Sequence, residues 1–362
     1  MKIAIIYPFI DTRGGGNRVI STICRYFNAD IFVGGYDQKI IEEDFKGCNI
    51  YQIANKRLIK NLFGREYLLA LYSLKLKIPK SYDIIVVNNW STSFASIRNR
   101  PAIFYVHNID RFFYNCNSSI NNRYNSTIRR VLSKLGILPG RILDQIIVKN
   151  FINCLIANSK NVREKLARIY RKKKEKIQLL YPPVNVNKFR FKSYEDFLLT
   201  VSRLEPYKRV ELIIKAMKYV PDLKLKVVGT GSLYKYLRRI APRNVEFLGS
   251  VSDEILVELY SRALATVYLP KNEDFGIVPV ESMASGKICI GSNEGGLKET
   301  ILHGETGFLI KPSLKNLVEV INKIKNMDLS QYREKCIRRA KMFSEEEFVK
   351  KFRRIVNKIL QV

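Results

Sequence analysis

The chain has 362 residues, of which 46% are hydrophobic and 27% are charged. This composition excludes a disordered or fibrous protein, and the length predicts two domains of about 150–200 residues. Lysine and arginine total 63 against 33 acidic residues, a net charge of +30, and no apolar run reaches the roughly 18 residues that cross a bilayer.

The positive excess is uneven. Residues 1–185 hold 31 basic and 12 acidic side chains, a net +19, and the remainder a net +11. Such a field suits a polyanionic neighbour: nucleic acid, an anionic membrane surface or a phosphorylated ligand. A lysine-rich coding bias produces the same surface excess. The six cysteines (24, 48, 116, 154, 289 and 336) show no C-x-x-C and no paired spacing. Neither a disulfide framework nor a zinc site is expected, and a reducing interior is predicted.

The opening run, Ile3–Tyr7, lacks a small-residue cleavage site and reads as a first buried strand rather than a signal peptide. Further strand-length apolar runs follow at Ile31–Val33, Ile84–Val87, Ala102–Val106 and Cys154–Ala157. Beyond residue 190 they recur at Phe197–Val201, Leu223–Val228, Val245–Leu248, Ala265–Leu269, Ile288–Ile290 and Phe308–Ile310. Many are apolar on both faces, as parallel strands covered by helices are. Helical periods lie between them, for example Val210, Ile213, Ile214 and Met217, and Phe348, Phe352, Ile355, Val356 and Ile359. Strand–helix alternation predicts doubly wound α/β sheets, which bind ligands at the carboxyl ends of their strands. The two prolines in Tyr181–Arg190 predict the boundary. This gives a domain over 1–185, a second over 186–345, and a terminal helix over 346–362. The stretch 111–150 is less regular.

Four segments carry candidate chemistry. Gly14, Gly15 and Gly16 follow the first strand and open a helix, where free amides can meet an anion; a plain tight turn reads the same way. His107 ends the strand Ala102–Val106, at a position where a structural or a catalytic histidine fits equally. After the strand Phe197–Val201, Arg203 and Lys208 supply a forked donor and a point charge suited to a diphosphate, unless they are ordinary solvated cations. The run Glu273-Asp-Phe-Gly276-Ile277-Val278-Pro279-Val-Glu281 places a helix start at Gly276, since Pro279 is compatible only with a first helical turn. Its free amides form a second anion site, Glu281 lies one turn in, and Glu273 precedes the helix. Two solvated surface acids are the plainer reading. Gly229-Thr-Gly231 and His303–Gly307 read as structural turns. The glycines of Asn293–Glu299 suggest close packing beside the Glu273 loop.

Taken together, these segments resemble a retaining glycosyltransferase of family 4 with the GT-B fold. The resemblance rests on the E-x7-E pair Glu273 and Glu281, the R-x4-K pair Arg203 and Lys208, the loop Gly14–Gly16, the strand-end His107, and the phrase ANSKNVREKL at 157–166. It spans residues 3 to about 311. It implies two Rossmann-like domains facing each other across a cleft, with the terminal helix over 346–362 packing back on the first. It also implies transfer of a sugar from a nucleotide-sugar donor with retention at the anomeric carbon. Arg203 and Lys208 would hold the diphosphate, Glu281 the ribose, and Glu273 the transferred sugar. The amides of Gly15, Gly16, Gly276, Ile277 and Val278 would add to the phosphate grip, and His107 would face the reacting centre. The family uses no metal for the chemistry, and no D-x-D is present to place one; no cofactor is expected. The wording EDFGIVPVE is similar to that of mannosyltransferases using GDP-mannose, while UDP-glucose and UDP-N-acetylglucosamine users share most of it. Arg209 departs from the family, where glycine is common.

The acceptor is open between a lipid-linked sugar and a soluble glycan. A basic tract runs over Arg163–Lys176, and TIRRVLSKL (127–135), within a basic and aromatic stretch at 111–141, is patterned as an amphipathic helix. Both suit peripheral attachment to the cytoplasmic face of a membrane, or a core helix with solvated cations. A cytoplasmic location is expected. A nucleic-acid-binding protein is the rival class, but no helix-turn-helix, zinc finger or RNP motif is present.

Overall fold

The computed structural model describes residues 1–11, 14–54, 65–107, 114 and 127–361; the side chains of 65 and 127–136 lie outside that description. The chain forms two compact units. One is Met1–Pro182 with Phe348–Val362, and the other is Pro183–Glu347.

The first unit holds seven strands: β1 (Ile3–Ile10), β2 (Asp30–Tyr36), β3 (Ile50–Gln52), β4 (Ile84–Val87), β5 (Ala102–Val106), β6 (Cys154–Ala157) and β7 (Gln178–Leu179). Their spatial order is β3-β2-β1-β4-β5-β6-β7, and every pairing is parallel. Successive residues point to opposite faces, so one apolar cluster takes Ile3, Ile5, Ile103, Tyr105 and Ile156, and the other takes Ala4, Ile6, Phe104, Val106 and Leu155. Burial on both faces is what makes these strands read as unbroken apolar runs. The edge strands β3 and β7, three and two residues long, carry no such run and are not readable from the pattern.

The second unit repeats the plan with β8 (Phe197–Val201), β9 (Lys224–Val228), β10 (Val245–Gly249), β11 (Ala265–Tyr268), β12 (Cys289–Ser292) and β13 (Gly307–Ile310). The order is β10-β9-β8-β11-β12-β13, again all parallel. The strand order reverses between β1 and β4 in one sheet and between β8 and β11 in the other. At such a point the loops leaving neighbouring strands turn to opposite faces, and a crevice opens at the carboxyl edge.

The terminal helix Glu345–Leu360 supplies Phe348, Phe352 and Val356 to the core cluster under the first sheet. Phe352 meets Phe27 edge-on at 5.2 Å between ring centroids, and Phe348 lies 6.2 Å from Tyr105. Among the described residues no helix is long and apolar enough to cross a membrane. One expectation is overturned: Cys24 and Cys48 are joined by a disulfide. Cys24 lies in the last turn of the helix Gly15–Phe27, and Cys48 follows the turn at Phe45 before β3; both belong to the cluster that covers β2. A separation of 24 residues carries no motif, so only the packing of helix against sheet reveals the bridge.

Truncating a fully buried ring leaves a cavity that the surroundings fill only in part. Phe352→Ala is therefore expected to destabilise the first unit by about 3–5 kcal/mol, read as a lowered urea midpoint.

Candidate functional site

The second unit's switch point assembles most of the sequence candidates. The loop after β8 turns through the short helical segment Pro206–Lys208, and the loop after β11 carries Glu273. Lys208 is 8% exposed. Its Nζ donates to Glu273 Oε2 at 2.7 Å and to Tyr268 Oη at 2.8 Å. Tyr268 is the last residue of β11; burial, and then the neighbouring Glu273 carboxylate, push its phenol well above the usual range. Arg203 is exposed, and its Nη2 donates to Tyr207 Oη at 2.7 Å. Lys208 Nζ lies 5.3 Å from the centre of the same Tyr207 ring. The tyrosine thus stands between the two cations, and neither Tyr207 nor Tyr268 carries a motif that marks it in the sequence.

The helix Ile277–Ala284 follows directly. Gly276 caps it at φ +90° with no side-chain cap, and a Cβ there would meet Leu297 Cδ2 at 2.4 Å. Only glycine fits this turn. The first amides of a helix have no intrahelical acceptor, so Ile277 and Val278 present theirs outward from the start. Glu281 is not a solvated surface acid: it is 2% exposed and accepts from Tyr260 Oη at 2.9 Å. Glu273 is also largely covered, and the structure places the two acids on different partners.

A third loop, after β12, locks the first two. Arg209 sits in the left-handed region at φ +53°, which explains why glycine suits this position. Both Nη1 and Nη2 of its guanidinium donate to Glu294 Oε1 at 3.1 Å, and Glu294 Oε2 accepts from the Asn272 amide at 3.2 Å. Gly296 N donates to Glu273 O at 2.8 Å. The charge of Arg209 is thus committed to Glu294.

The first unit gathers the remaining candidates at its own switch point. The helix Gly15–Phe27 starts uncapped by any side chain, and Gly16 lies against Tyr7 and His107: a Cβ there would stand 2.5 Å from Tyr7 Oη and 3.7 Å from His107 Cδ2. His107 Nε2 lies 3.2 Å from Asn88 Nδ2, and His107 O accepts from Asn158 Nδ2 at 2.6 Å. Asn88, after β4, escapes sequence reasoning because an isolated asparagine carries no spacing signal; Asn158, after β6, lies in the phrase 157–166 but is given no role by it. Their Oδ1 atoms are buried without a hydrogen-bond partner among the described residues. Burial lowers the His107 pKa to about 3, so the imidazole is neutral at physiological pH. Burial, and then the Asp11 carboxylate, raise the Tyr7 phenol.

Lowering the pKa of a base means that the unfolded chain takes up a proton below pH 6.5 that the folded chain refuses until about pH 3. The stability linked to His107 is complete above pH 6.5 and is lost as the pH falls. We expect a loss of about 1–2 kcal/mol between pH 7 and pH 5 that is absent in His107→Gln, measured by urea unfolding at each pH.

Residues 13–188 match the family model for Glycosyltransferase Family 4, and residues 184–343 match that for Glycosyl transferases group 1. An uncharacterized glycosyltransferase of Methanocaldococcus jannaschii is 26% identical over 312 residues, which cover 78% of this chain and 76% of the relative. The alpha-1,3/1,6-mannosyltransferase ALG2 of Dictyostelium discoideum is 26% identical over 325 residues, 76% of this chain and 74% of the relative. Among solved structures, Anabaena HepE in complex with UDP superposes with a TM-score of 0.75 at 16% identity, covering 99% of this chain and 100% of that one. The chain belongs to glycosyltransferase family 4, and it is a glycosyltransferase built from two Rossmann-like domains of the GT-B type.

Proposed function

We propose that the protein transfers a sugar from a nucleotide-sugar, with retention at the anomeric carbon, to a lipid-linked or glycan acceptor. The observation that carries this reading is the buried ammonium of Lys208 at the second switch point, beside Arg203 and the uncapped helix start at Gly276. The reaction releases a nucleoside diphosphate, so negative charge grows on the leaving oxygen as the bond to the sugar breaks. Cations and amide dipoles already aimed at that oxygen stabilise it without reorganising. Lys208 and Arg203 are assigned to the diphosphate, with the Gly276, Ile277 and Val278 amides adding to the grip. Lys208 holds Glu273 as well, which fixes that carboxylate for contact with the transferred sugar. A ribose bound at Glu281 would share the carboxylate with Tyr260. In the first unit, Gly15 and Gly16 offer amides beside a neutral His107, which can donate or accept a hydrogen bond at the reacting sugar without adding charge. The cationic side chains supply the positive charge, so no resident metal is assigned.

Mannose from GDP-mannose is the donor we favour, supported by the ALG2 mannosyltransferases of several organisms among the relatives. A UDP-sugar acting with a soluble glycan is the second reading, supported by HepE, whose crystals contain UDP and UDP-glucose.

Titration calorimetry with GDP and UDP, followed by a donor-hydrolysis screen over GDP-mannose, UDP-glucose and UDP-N-acetylglucosamine, tests this. Binding of one diphosphate and turnover of its sugar are expected. Lys208→Met and Arg203→Ala should each cut turnover about 100-fold or more, roughly 3 kcal/mol of transition-state stabilisation. Arg203 is exposed, so its variant folds normally. Affinity for neither diphosphate would refute the reading.

A further inference from the structure

The first unit carries an apolar surface that its own core does not use. The helix Thr127–Asn150 packs inward through Ile137, Gly140, Asp144, Ile147 and Val148, with Trp90 Nε1 donating to Gly140 O at 3.2 Å. Its outer face carries large aliphatics instead: Leu138 is 64% exposed, Ile142 52%, Leu143 39% and Ile146 45%. Leu138, Ile142 and Ile146 recur every four residues and Leu143 adjoins Ile142, so all four fall on one side of the helix. Pro139 and Lys149 are exposed on the same face. A monomeric soluble surface scatters single aliphatics, whereas four within nine residues on one helix face form a patch.

The tertiary structure sets the basic tract beside this patch. Gln145 Nε2 donates to Ile169 O at 2.7 Å, and Tyr170 Oη donates to Asp144 Oδ2 at 2.8 Å. These bonds tie the end of the helix Lys160–Ile169 to the last two turns of the aliphatic helix. The tract Arg163–Lys176 holds eight basic and two acidic residues. Arg168, Arg171, Lys173, Lys174 and Lys176 are exposed. Glu164 pairs only loosely with Arg168 and Lys174, at 3.8 and 3.4 Å.

We propose that Leu138, Ile142, Leu143 and Ile146, with the adjoining basic tract, form a docking surface for the interface of an anionic lipid bilayer. Aliphatic side chains on a helix lying in the interface plane enter the boundary between headgroups and acyl chains, while lysines and arginines beside them meet the negative headgroups. Charge complementarity selects this occupant. A second copy of this chain would bring two tracts of the same sign together. A neutral bilayer would leave the tract without counter-charge. Each lysine or arginine near an anionic surface strengthens binding about fivefold, and salt weakens that part. The surface is independent of the donor chemistry assigned above.

The test is flotation of the full chain, without nucleotide, on vesicles of phosphatidylcholine alone or with phosphatidylglycerol at equal lipid. Binding to the anionic vesicles, falling steeply as salt is raised from about 50 to about 300 mM, is expected. Ile142→Ser with Ile146→Ser should weaken it about 100-fold, given roughly tenfold per aliphatic withdrawn. Lys172→Gln, Lys173→Gln, Lys174→Gln and Lys176→Gln together should remove most of the salt-sensitive part. Ile142→Trp adds a second reporter to the single, buried Trp90, and its emission should shift to the blue on anionic vesicles only. Equal recovery on both vesicle types, no flotation, or an unshifted emission from the Ile142→Trp variant overturns the proposal. So does a dimer in sedimentation velocity that the Ile142→Ser, Ile146→Ser pair dissolves. Calorimetry with GDP and UDP on the same samples separates the two readings: lost flotation with intact nucleotide binding refutes only the surface, and the converse refutes only the donor site.

Discussion

A lysine ammonium cannot remain buried without partners. Lys208 is withdrawn from water at the strand-order reversal of the second unit, so Glu273 and Tyr268 must stand where they do. Removing one partner of such a buried pair leaves an uncompensated charge and costs about 3–5 kcal/mol. The constraint propagates outward. Glu273 holds the loop after β11, that loop fixes the turn at Gly276, and the turn fixes the direction in which the first helix amides face. Arg209 adds a second tie between loops. Its left-handed backbone costs of order 1 kcal/mol or more, which the forked bond to Glu294 offsets.

The two units apply one topological device to different chemistry. Each opens a crevice where the strand order reverses, and each places a glycine-started helix beside it. In the second unit the surrounding groups are ionic, with lysine, arginine and carboxylates. In the first they are mainly hydrogen-bonding, with His107 kept uncharged by burial beside Asn88 and Tyr7, and with the Asp11 carboxylate as the charge that acts on Tyr7. The second site therefore concentrates positive charge, and the first concentrates hydrogen-bonding side chains.

Net charge, too, acquires meaning only through position. The basic tract Arg163–Lys176 is a composition fact in the sequence. Next to four exposed aliphatics it becomes one half of an amphipathic surface, because hydrogen bonds from Gln145 and Tyr170 carry it there. The amphipathic pattern at 127–135, and the greater part of the stretch 111–141, fall outside the described side chains. The aliphatic face follows from Leu138 onward, beyond the segment whose pattern is legible.

The parallel α/β class is legible in the amino-acid pattern, because a strand buried on both faces must be apolar throughout, and all eleven apolar runs are strands. The same pattern also marks the candidate cations, acids and glycines, since these residue types follow strand ends. The short strands β3 and β7 left no trace, having too few buried positions to show a period. Tertiary structure alone decided which groups meet. It set Lys208 on Glu273 and Tyr268, took Glu281 to Tyr260, spent Arg209 on Glu294, and bridged Cys24 to Cys48. The physical reason is that local pattern reports how much of a residue is buried, whereas partnership depends on which distant strands the sheet order makes neighbours.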